Sequence, residues 1–587
     1  MYRSAPTDAE WTQSRVAGLP ERWTQKLLSA WQARRATDEC GANIQLRQVT
    51  EALLRVRIPL DASDSTICDA ATALANLCLG RAQVFHTVNA LRSAMERICQ
   101  GQGIEPPHEK VKDGPALARM CCPLWWRKKL RRHQGRTVEA AAISLGHVNM
   151  HRDLYVSEER LRTRHQQNIR NQTMLESTYL RNELGQEFTL AELAEKSTSN
   201  KPIRRAEFMT RVSGFERIAK EEKHVGLFIT ITCPSRFHPC RTVNRGKKAL
   251  PNPNYDPAET PRTGQTYLAK VWREIRADLG RRKIQIYGLR VAEPQHDGTP
   301  HWHLVLFCRT EDDQTFRGVL RKHALKDTPN ERGAALHRCD IKTIDWRKGS
   351  AAGYIIKYVA KNLDGFGVGE DLNGKPATET CVRVDAWAAT WGIRQFQQIG
   401  GPPVSVWREL RRVKTLPIGS PEHLVQAHLA ANRMNEIEGK TKPAVSWDLY
   451  CKAQGGVFCG RNARIKLSMA EPQGTGQYGD AASPRPFGVE TTSMAMHGSE
   501  ERLVHWIVES TRHVWEVVGR QDSAPVFAKQ ATPAEPWTRV NNCTDQQNDT
   551  WLDKSDITYL MRTKVPPCTG RFCLEIFNDD VFIKNHE

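Results

Sequence analysis

The sequence predicts an α+β fold in which a mostly helical N-terminal third precedes a segment of alternating strands and helices. Residues 1–220 contain long stretches of helix-favouring residues with recurring apolar positions, as in 82–98 and 157–184. From about residue 224 onward, the apolar runs are rich in β-branched residues and are closed by turn-forming residues. This change of pattern indicates that a β-sheet begins there.

The strands and helices of this second segment follow an order that is typical of an α+β sandwich. A strand-like run, VGLFITITCPS, closes at Pro234, and a turn-rich segment leads to the helical TYLAKVWREIRADLGRRK. Two more strand-like runs, KIQIYGLRVAE and HWHLVLFCR, flank a turn at Asp297-Gly298 and therefore predict a hairpin. A further helix is predicted at GSAAGYIIKYVAKNLDG.

A chain of 587 residues is too long for one hydrophobic core, so the sequence predicts several domains. We expect a mostly helical region over 1–220, an α+β domain over 221–415 and a C-terminal region over 416–587, to which the sequence assigns no function. The first residues lack a signal-peptide pattern, and no apolar run is long enough to span a bilayer. These features predict a cytoplasmic protein with no membrane partner.

The chain is strongly basic, with 85 Lys and Arg against 66 Asp and Glu and a formal net charge of +19. This balance favours a polyanionic partner such as nucleic acid. Two segments combine tryptophans with cations: Trp125 and Trp126 precede RKKLRRHQGR, and Trp387 and Trp391 precede Arg408, Arg411 and Arg412. Such segments could stack on bases and neutralise phosphates, or they could be packed tryptophans beside a solvated basic face. The N-terminal region is therefore a candidate for DNA or partner binding.

A pair of histidines begins the second strand of the predicted hairpin. His301 and His303 are two residues apart, so in a strand their side chains face the same side and both can reach one ion. Two histidines at this spacing can equally be ordinary surface or core residues. The residues across the hairpin decide between these interpretations.

The prolines at the hairpin end predict which residue faces the histidines. Pro294 and Pro300 interrupt the ladder, so we expect the loop to span 294–300, which places Glu293 opposite His301 on the same face. A two-residue turn at Asp297-Gly298 would instead put Glu293 opposite Trp302.

The predicted ligand set is therefore Glu293, His301 and His303, with His296 of the loop as the alternative third ligand. Two nitrogens and one carboxylate suit a divalent ion such as Mg²⁺ or Mn²⁺ with positions open for water and phosphate oxygens, and they also suit Fe(II). A second group of residues separates these chemistries.

Two tyrosines lie four residues apart in the last predicted helix. Tyr354 and Tyr358 share one helix face, about 6 Å apart along the axis, and each is followed three residues later by a lysine, Lys357 or Lys361. A buried aromatic stripe would explain the tyrosines alone. With a metal site upstream, they predict tyrosine nucleophiles that attack a metal-polarised phosphodiester, with the lysines stabilising the phenolate.

Three motifs carry a family resemblance: FITITCPSRFHP (228–239), PHWHLVLF (300–307) and YIIKYVAKN (354–362). In kind and order they resemble those of the HUH endonuclease superfamily, and most closely those of the replication gene A proteins of temperate tailed phages. The resemblance covers roughly 224–410 and extends to CCPLWWRKKLRR in the helical region. It implies a ferredoxin-like antiparallel sheet that carries the metal on its central strands, with the tyrosine helix packed beside it.

The resemblance also implies residue roles and an activity. His301 and His303 would be metal ligands, Glu293 the third ligand, and Tyr354 and Tyr358 the nucleophiles. The chain would nick single-stranded DNA at a replication origin, remain joined to the new 5′ end and initiate rolling-circle replication in the cytoplasm of a bacterial host. The host replication machinery would be a partner.

Three other classes of protein compete with this interpretation. A conjugative relaxase or a transposase shares the metal and tyrosine chemistry, whereas a non-catalytic origin binder would use the histidines and tyrosines structurally. A helicase is disfavoured because GEDLNGKP (369–376) has Pro376 where a phosphate-binding loop needs serine or threonine. Unwinding is therefore expected from a host helicase.

Overall fold

The computed structural model describes residues 7–243, 248–363, 377–432, 435–437, 440–472, 474–497, 500–518, 572–577 and 580–585. The region before the central sheet is mostly helical, as predicted. Its elements are α1 (Asp8–Val16), α2 (Glu21–Arg35), α3 (Glu39–Leu54), α4 (Asp64–Arg81), α5 (Val88–Gly101), α6 (Asp113–Met120), α7 (Pro123–Ser144), α8 (Glu158–Ser177), β1 (Tyr179–Asn182), β2 (Glu187–Thr189), α9 (Leu190–Glu195) and α10 (Lys201–Glu221).

Strands and helices alternate in the remainder of the chain. The middle segment contains β3 (Val225–Thr232), β4 (Cys240–Val243), β5 (Lys248–Pro251), α11 (Pro261–Arg281), β6 (Ile286–Pro294), β7 (Pro300–Cys308), α12 (Asp313–Ala324), α13 (Ala334–His337), β8 (Cys339–Thr343), α14 (Ala351–Leu363), α15 (Ala377–Trp391), β9 (Phe396–Ile399) and α16 (Val404–Leu410). The last segment contains α17 (Glu422–Ala431), β10 (Asn435–Ile437), β11 (Lys440–Ala444), α18 (Trp447–Ala453), β12 (Lys466–Ala470), β13 (Arg485–His497), β14 (Glu500–Glu509), β15 (Trp515–Val518), β16 (Phe572–Phe577) and β17 (Asp580–Asn585).

The central sheet has five strands in the order β8-β3-β7-β6-β9, and every neighbouring pair is antiparallel. With α11 and α12, the strands β3, β6, β7 and β8 form a β-α-β-β-α-β unit, to which β9 adds an edge strand. The predicted α+β class is confirmed, and the two hairpin strands differ from the predicted runs by only a few residues at each end.

The two faces of the central sheet bury different partners because side chains alternate along each strand. Leu227, Ile229 and Ile231 of β3 face α11 and α12, and they belong to one continuous core with the N-terminal helices. The opposite face, which carries Phe228 and Val305, packs against α10 and α14. The helix with the tyrosine pair therefore covers this second face of the sheet.

Two helix boundaries differ from the sequence prediction for local reasons. Helix α11 begins five residues earlier than the helical run suggested, because the Thr260 side chain caps the amide of Thr263 at 3.3 Å and Pro261 occupies the first turn. Helix α8 ends at Ser177 rather than continuing to 184, because Tyr179–Asn182 pairs with β15 as a strand. Tertiary pairing here overrides the helical pattern.

The described parts of the C-terminal region are mainly hairpins. Residues 500–518 include β14 and β15, and β14 pairs with β13 along ten residue pairs. The candidate phosphate loop at 369–376 lies outside the described residues, as does the polar segment 529–550. Among the helices that the structure describes, none combines the length and the apolar character needed to cross a membrane.

Candidate active site

The hairpin of β6 and β7 brings one carboxylate and two imidazoles together. Glu293 lies directly opposite His301 in the β6/β7 register, as predicted. The Nε2 atoms of His301 and His303 are 2.8 Å apart, and one ligand atom from each of the three residues lies within 4.8 Å of the others. Adjacent ligands of an octahedral ion at 2.0–2.1 Å would be about 3.0 Å apart, so this group fits a divalent metal ion.

The hairpin loop is shorter than predicted. Pro294 and Pro300 are paired inside the strands, so the loop spans only 295–299. The amide of Gln295 donates to the carbonyl of Thr299 at 2.8 Å. Since hydrogen-bonded and non-hydrogen-bonded pairs alternate in an antiparallel ladder, the next pair, Pro294 and Pro300, is a non-hydrogen-bonded pair, in which a proline loses no hydrogen bond. The expected interruption of the ladder at the prolines was therefore wrong, although the register that it predicted is correct.

A buried ion pair anchors this loop to the preceding segment of the chain. The Nδ1 atom of His238 lies 2.9 Å from Oδ2 of Asp297. Burial alone would lower the pKa of His238, but the charge and hydrogen bond of Asp297 raise it. In turn, burial raises the pKa of Asp297 while His238 more than offsets that effect, so the carboxyl pKa is lowered. Gly298 completes the turn with φ +83°, a conformation that suits glycine.

His296, the alternative third ligand, points to a different part of the molecule. Its carbonyl accepts from the amide of Tyr155 at 3.3 Å, and its ring stacks on the Tyr155 ring with centroids 6.3 Å apart. The ligand group found among the described residues contains Glu293 in its place. Among the described residues, the group whose geometry could hold an ion is therefore Glu293, His301 and His303.

Neighbouring side chains orient His303. The Oγ1 atom of Thr230 lies 3.0 Å from His303 Nδ1, on the strand position paired with that histidine. This contact leaves Nε2 directed at His301. Phe228, one row further along the same face, stacks on the His303 ring with centroids 5.7 Å apart. A hydrogen bond to Nδ1, such as the one from Thr230, fixes the ring orientation that a histidine needs in order to bind a metal through Nε2.

The tyrosine helix lies over successive rows of this face. The Tyr358 ring is 4.1 Å from the His303 ring, whereas the Tyr354 ring lies one turn further away, 6.0 Å from Phe228. Asn362, one turn beyond Tyr358, reaches Glu293. Four residues of helix span about 6 Å, and two residues of strand span roughly 7 Å. Helix residues four apart therefore lie over strand residues two apart, so Tyr354, Tyr358 and Asn362 follow Phe228, His303 and Glu293 along the sheet.

The structure brings together five of the seven predicted site residues. Both tyrosines, both histidines and Glu293 lie on one side of the sheet. Lys357 and Lys361 belong to α14, but their side chains lie outside the described residues. Sequence reasoning missed Thr230 and Asn362. Each carried a usable signal, since Thr230 is a polar residue in an apolar strand and Asn362 continues the tyrosine face of the helix.

The two basic segments are largely built into the fold. Trp126 is fully buried and donates to the carbonyl of Met120 at 2.7 Å, and Arg127 is buried beside it. Trp387 is likewise buried, with its indole donating to Gly298 of the hairpin loop at 2.8 Å. The tryptophans therefore act as packing residues and not as exposed stacking platforms.

The arginines after the second tryptophan pair hold buried carboxylates. Arg408 makes a bidentate pair with Glu207 at 2.7 and 3.1 Å, and Arg412 donates to Glu409 at 2.8 Å. Burial by itself raises the pKa of Glu207, but Arg211 and Arg408 lower it. These contacts favour a structural role for Arg408 and Arg412.

We predict that Arg408→Ala lowers the free energy of unfolding by on the order of 3 kcal/mol, because it leaves the buried Glu207 without its bidentate partner. Denaturant or thermal unfolding of the full chain measures this change. Arg347→Ala is the control, since its side chain is 95% exposed. A stable Arg408→Ala protein with reduced affinity for single-stranded DNA would instead support a direct DNA contact.

The fold and the site together define a class of protein, in which an antiparallel sheet presents a carboxylate and two histidines to a helix with two tyrosines. Residues 67–366 match the model of the bacteriophage replication gene A protein (GPA) family, and the chain belongs to this family. No solved structure matches the chain.

Individual relatives extend the similarity beyond that segment. The chain is 34% identical to the replication gene A protein of Escherichia phage P2 over 73% of this chain and 55% of that protein. It is also 34% identical to the replication gene A protein of Escherichia phage 186, over 78% of this chain and 65% of that protein. A "Probable replication endonuclease from prophage-like region" of Salmonella typhimurium is 31% identical over 75% of this chain and 53% of that protein. The chain thus spans between about half and two thirds of the length of these relatives.

Proposed function

We propose that the chain is a metal-dependent, site-specific endonuclease and strand transferase for single-stranded DNA that initiates rolling-circle replication of a phage or prophage. One observation carries the proposal: the two tyrosines lie on the helix face that covers Glu293, His301 and His303. A relative named as a replication endonuclease supports the nuclease activity. The cytoplasm of a bacterial host, with its helicase and replication machinery, is the proposed setting.

The proposed chemistry begins with one tyrosine. Its phenol oxygen forms a bond to the scissile phosphorus, and the bond from phosphorus to the 3′ oxygen breaks. The phenol loses its proton, and the departing 3′ oxygen takes one up. The products are a 5′-phosphotyrosine and a free 3′-OH, so the energy of the ester is conserved and rejoining needs no ATP.

Each part of the site has a task in this reaction. A divalent ion bound by Glu293, His301 and His303 would polarise the phosphate and thereby make a phenol with a pKa near 10 an adequate nucleophile. Tyr358, whose ring contacts His303, lies nearer the ligand group than Tyr354. Lys357 and Lys361 are proposed to stabilise the phenolate. Iron-dependent oxygen chemistry with the same ligands would leave both tyrosines without a role.

The test uses a single-stranded oligonucleotide from the origin of the phage or prophage that encodes the chain. With Mg²⁺ or Mn²⁺, a 3′-labelled strand is expected to give a protein adduct that survives denaturation, and a 5′-labelled strand a shortened free fragment. The chelator EDTA should prevent both products. Tight, metal-independent binding without an adduct would refute the nuclease and support a non-catalytic origin binder.

A second DNA substrate separates the phage initiator from the relaxase and transposase alternatives. We expect cleavage at the phage origin and none at the transfer origin of a plasmid or at a transposon end. The reverse preference would move the chain to one of those classes while leaving the chemistry intact.

A further inference from the structure

Asn362 joins the two halves of the candidate site. It is almost fully buried, and its Nδ2 atom lies 2.5 Å from Oε1 of Glu293 and 2.6 Å from the carbonyl oxygen of Tyr358. Its Oδ1 atom accepts from Nε2 of Gln395 at 2.8 Å. One amide therefore contacts the carboxylate of the ligand group and the backbone of the nucleophile helix at the same time.

The Glu293 carboxylate and the Tyr358 carbonyl can only accept hydrogen bonds, so they determine which way this amide faces, and Gln395 donates to the oxygen on its other side. A side-chain amide has two donor hydrogens on nitrogen and acceptor lone pairs on oxygen. Because Gln395 donates to Oδ1 of Asn362, both hydrogens on Nδ2 are available, one for Glu293 and one for the Tyr358 carbonyl. A flipped amide would set two donors against each other and an oxygen against the carboxylate.

Gln395 is itself tied to the strand that carries the carboxylate. Its backbone carbonyl accepts from the amide of Ala292 at 2.7 Å, one residue before Glu293. These hydrogen bonds connect β6 to Asn362 on α14, Asn362 to Gln395 just before β9, and Gln395 back to β6. Together they resist movement of α14 relative to the Glu293 carboxylate.

We propose that Asn362, held by Gln395, is a positioning residue that orients the Glu293 carboxylate toward the metal and sets the distance between the metal and Tyr358. This inference deepens the proposed function and rests on it. The hydrogen bond from Asn362 fixes one Glu293 oxygen and so limits rotation of the carboxylate beside His301. Residues that hold a metal ligand in this way usually change metal affinity by 10–100-fold when they are replaced.

The test begins with metal binding in the absence of DNA. The full chain and the Asn362→Leu variant, which keeps the branched shape of the side chain and loses both donor hydrogens, are titrated with Mn²⁺ by calorimetry or electron paramagnetic resonance. We expect the Kd for Mn²⁺ to rise about 10–100-fold. Gln395→Leu should shift it in the same direction by about tenfold, because the amide of Asn362 then loses the hydrogen bond from Gln395.

The second readout is the rate of adduct formation at saturating Mn²⁺. Asn362→Asp keeps the shape of the side chain and replaces both N–H donors with a carboxyl group against Glu293, so both it and Asn362→Leu should form the adduct on the order of 100-fold more slowly through misplacement of Tyr358. Asn432→Leu is the matched control, because Asn432 donates to the carbonyl of His428, four residues before it, at the C-terminal end of α17 and away from the site. Its Mn²⁺ affinity and adduct rate should equal those of the wild type.

Folded Asn362 variants with wild-type Mn²⁺ affinity and adduct rate would overturn this inference. If Asn362→Leu does not fold, Gln395→Leu carries the same test. A wild-type protein that forms no adduct would instead refute the proposed function. The Mn²⁺ titrations would still decide whether Asn362 acts on the ligand group.

Discussion

Replacing both tyrosines of α14, as Tyr354→Phe with Tyr358→Phe, is expected to abolish the covalent DNA adduct. Phenylalanine keeps the rings that pack on Phe228 and His303 and removes only the nucleophilic oxygens. Loss of a nucleophile should reduce the rate by on the order of 10⁴-fold or more. The measurement is the denaturant-resistant adduct with a 3′-labelled origin strand.

The single variants divide this effect between the two tyrosines. Tyr358→Phe is expected to be the more damaging, because the Tyr358 ring lies 4.1 Å from the His303 ring while Tyr354 lies one helical turn further from the ligands. Tyr179→Phe, on a distant strand, is the control and should leave the rate unchanged. An adduct that persists in the double variant would show that another residue attacks the phosphate.

Replacing the histidine pair is expected to have the second large effect. His301→Ala with His303→Ala removes two of the three predicted ligands, so Mn²⁺ affinity should fall by well over 100-fold, beyond the usual effect of replacing a supporting residue. Adduct formation should then be lost at any practical metal concentration. Calorimetric titration with Mn²⁺ and the adduct assay measure the two losses separately.

The control for the histidine variant is His337→Ala, which removes an exposed imidazole from the short helix α13. It should change neither the Mn²⁺ affinity nor the adduct. Thermal unfolding of both variants reports on folding, since His303 is buried. Wild-type metal requirement in a folded double-histidine variant would contradict the assignment of the metal site.

Short-range patterns were sufficient for much of the site. The two-residue period of a strand places His301 and His303 on one face, and four-residue spacing places Tyr354 and Tyr358 on one side of a helix. The turn at Asp297-Gly298 and its flanking prolines led to the correct partner for His301. All of these depend on backbone geometry within a few residues, which the order of residues specifies directly.

Contacts between distant segments could not be predicted in this way. Asn362 and Glu293 are 69 positions apart, and Gln395 reaches Asn362 from 33 positions further on. The four-residue spacing places Asn362 on the tyrosine face of the helix, but it does not show that this face meets Glu293. The position of the His296 ring against Tyr155 also depends on packing with the N-terminal helical region.

For the two basic segments too, the sequence predicts some properties and only the tertiary structure decides others. Their charge and tryptophans are evident in the sequence and are typical of nucleic-acid binding, but charge does not reveal burial. Only the tertiary structure pairs Arg408 with Glu207 and buries Trp387 under the hairpin loop. Local residue order thus determines which side chains share a face of a strand or helix. Packing of distant segments decides which faces meet and which charges are neutralised, because the energies of burial and charge pairing arise only when the chain has folded.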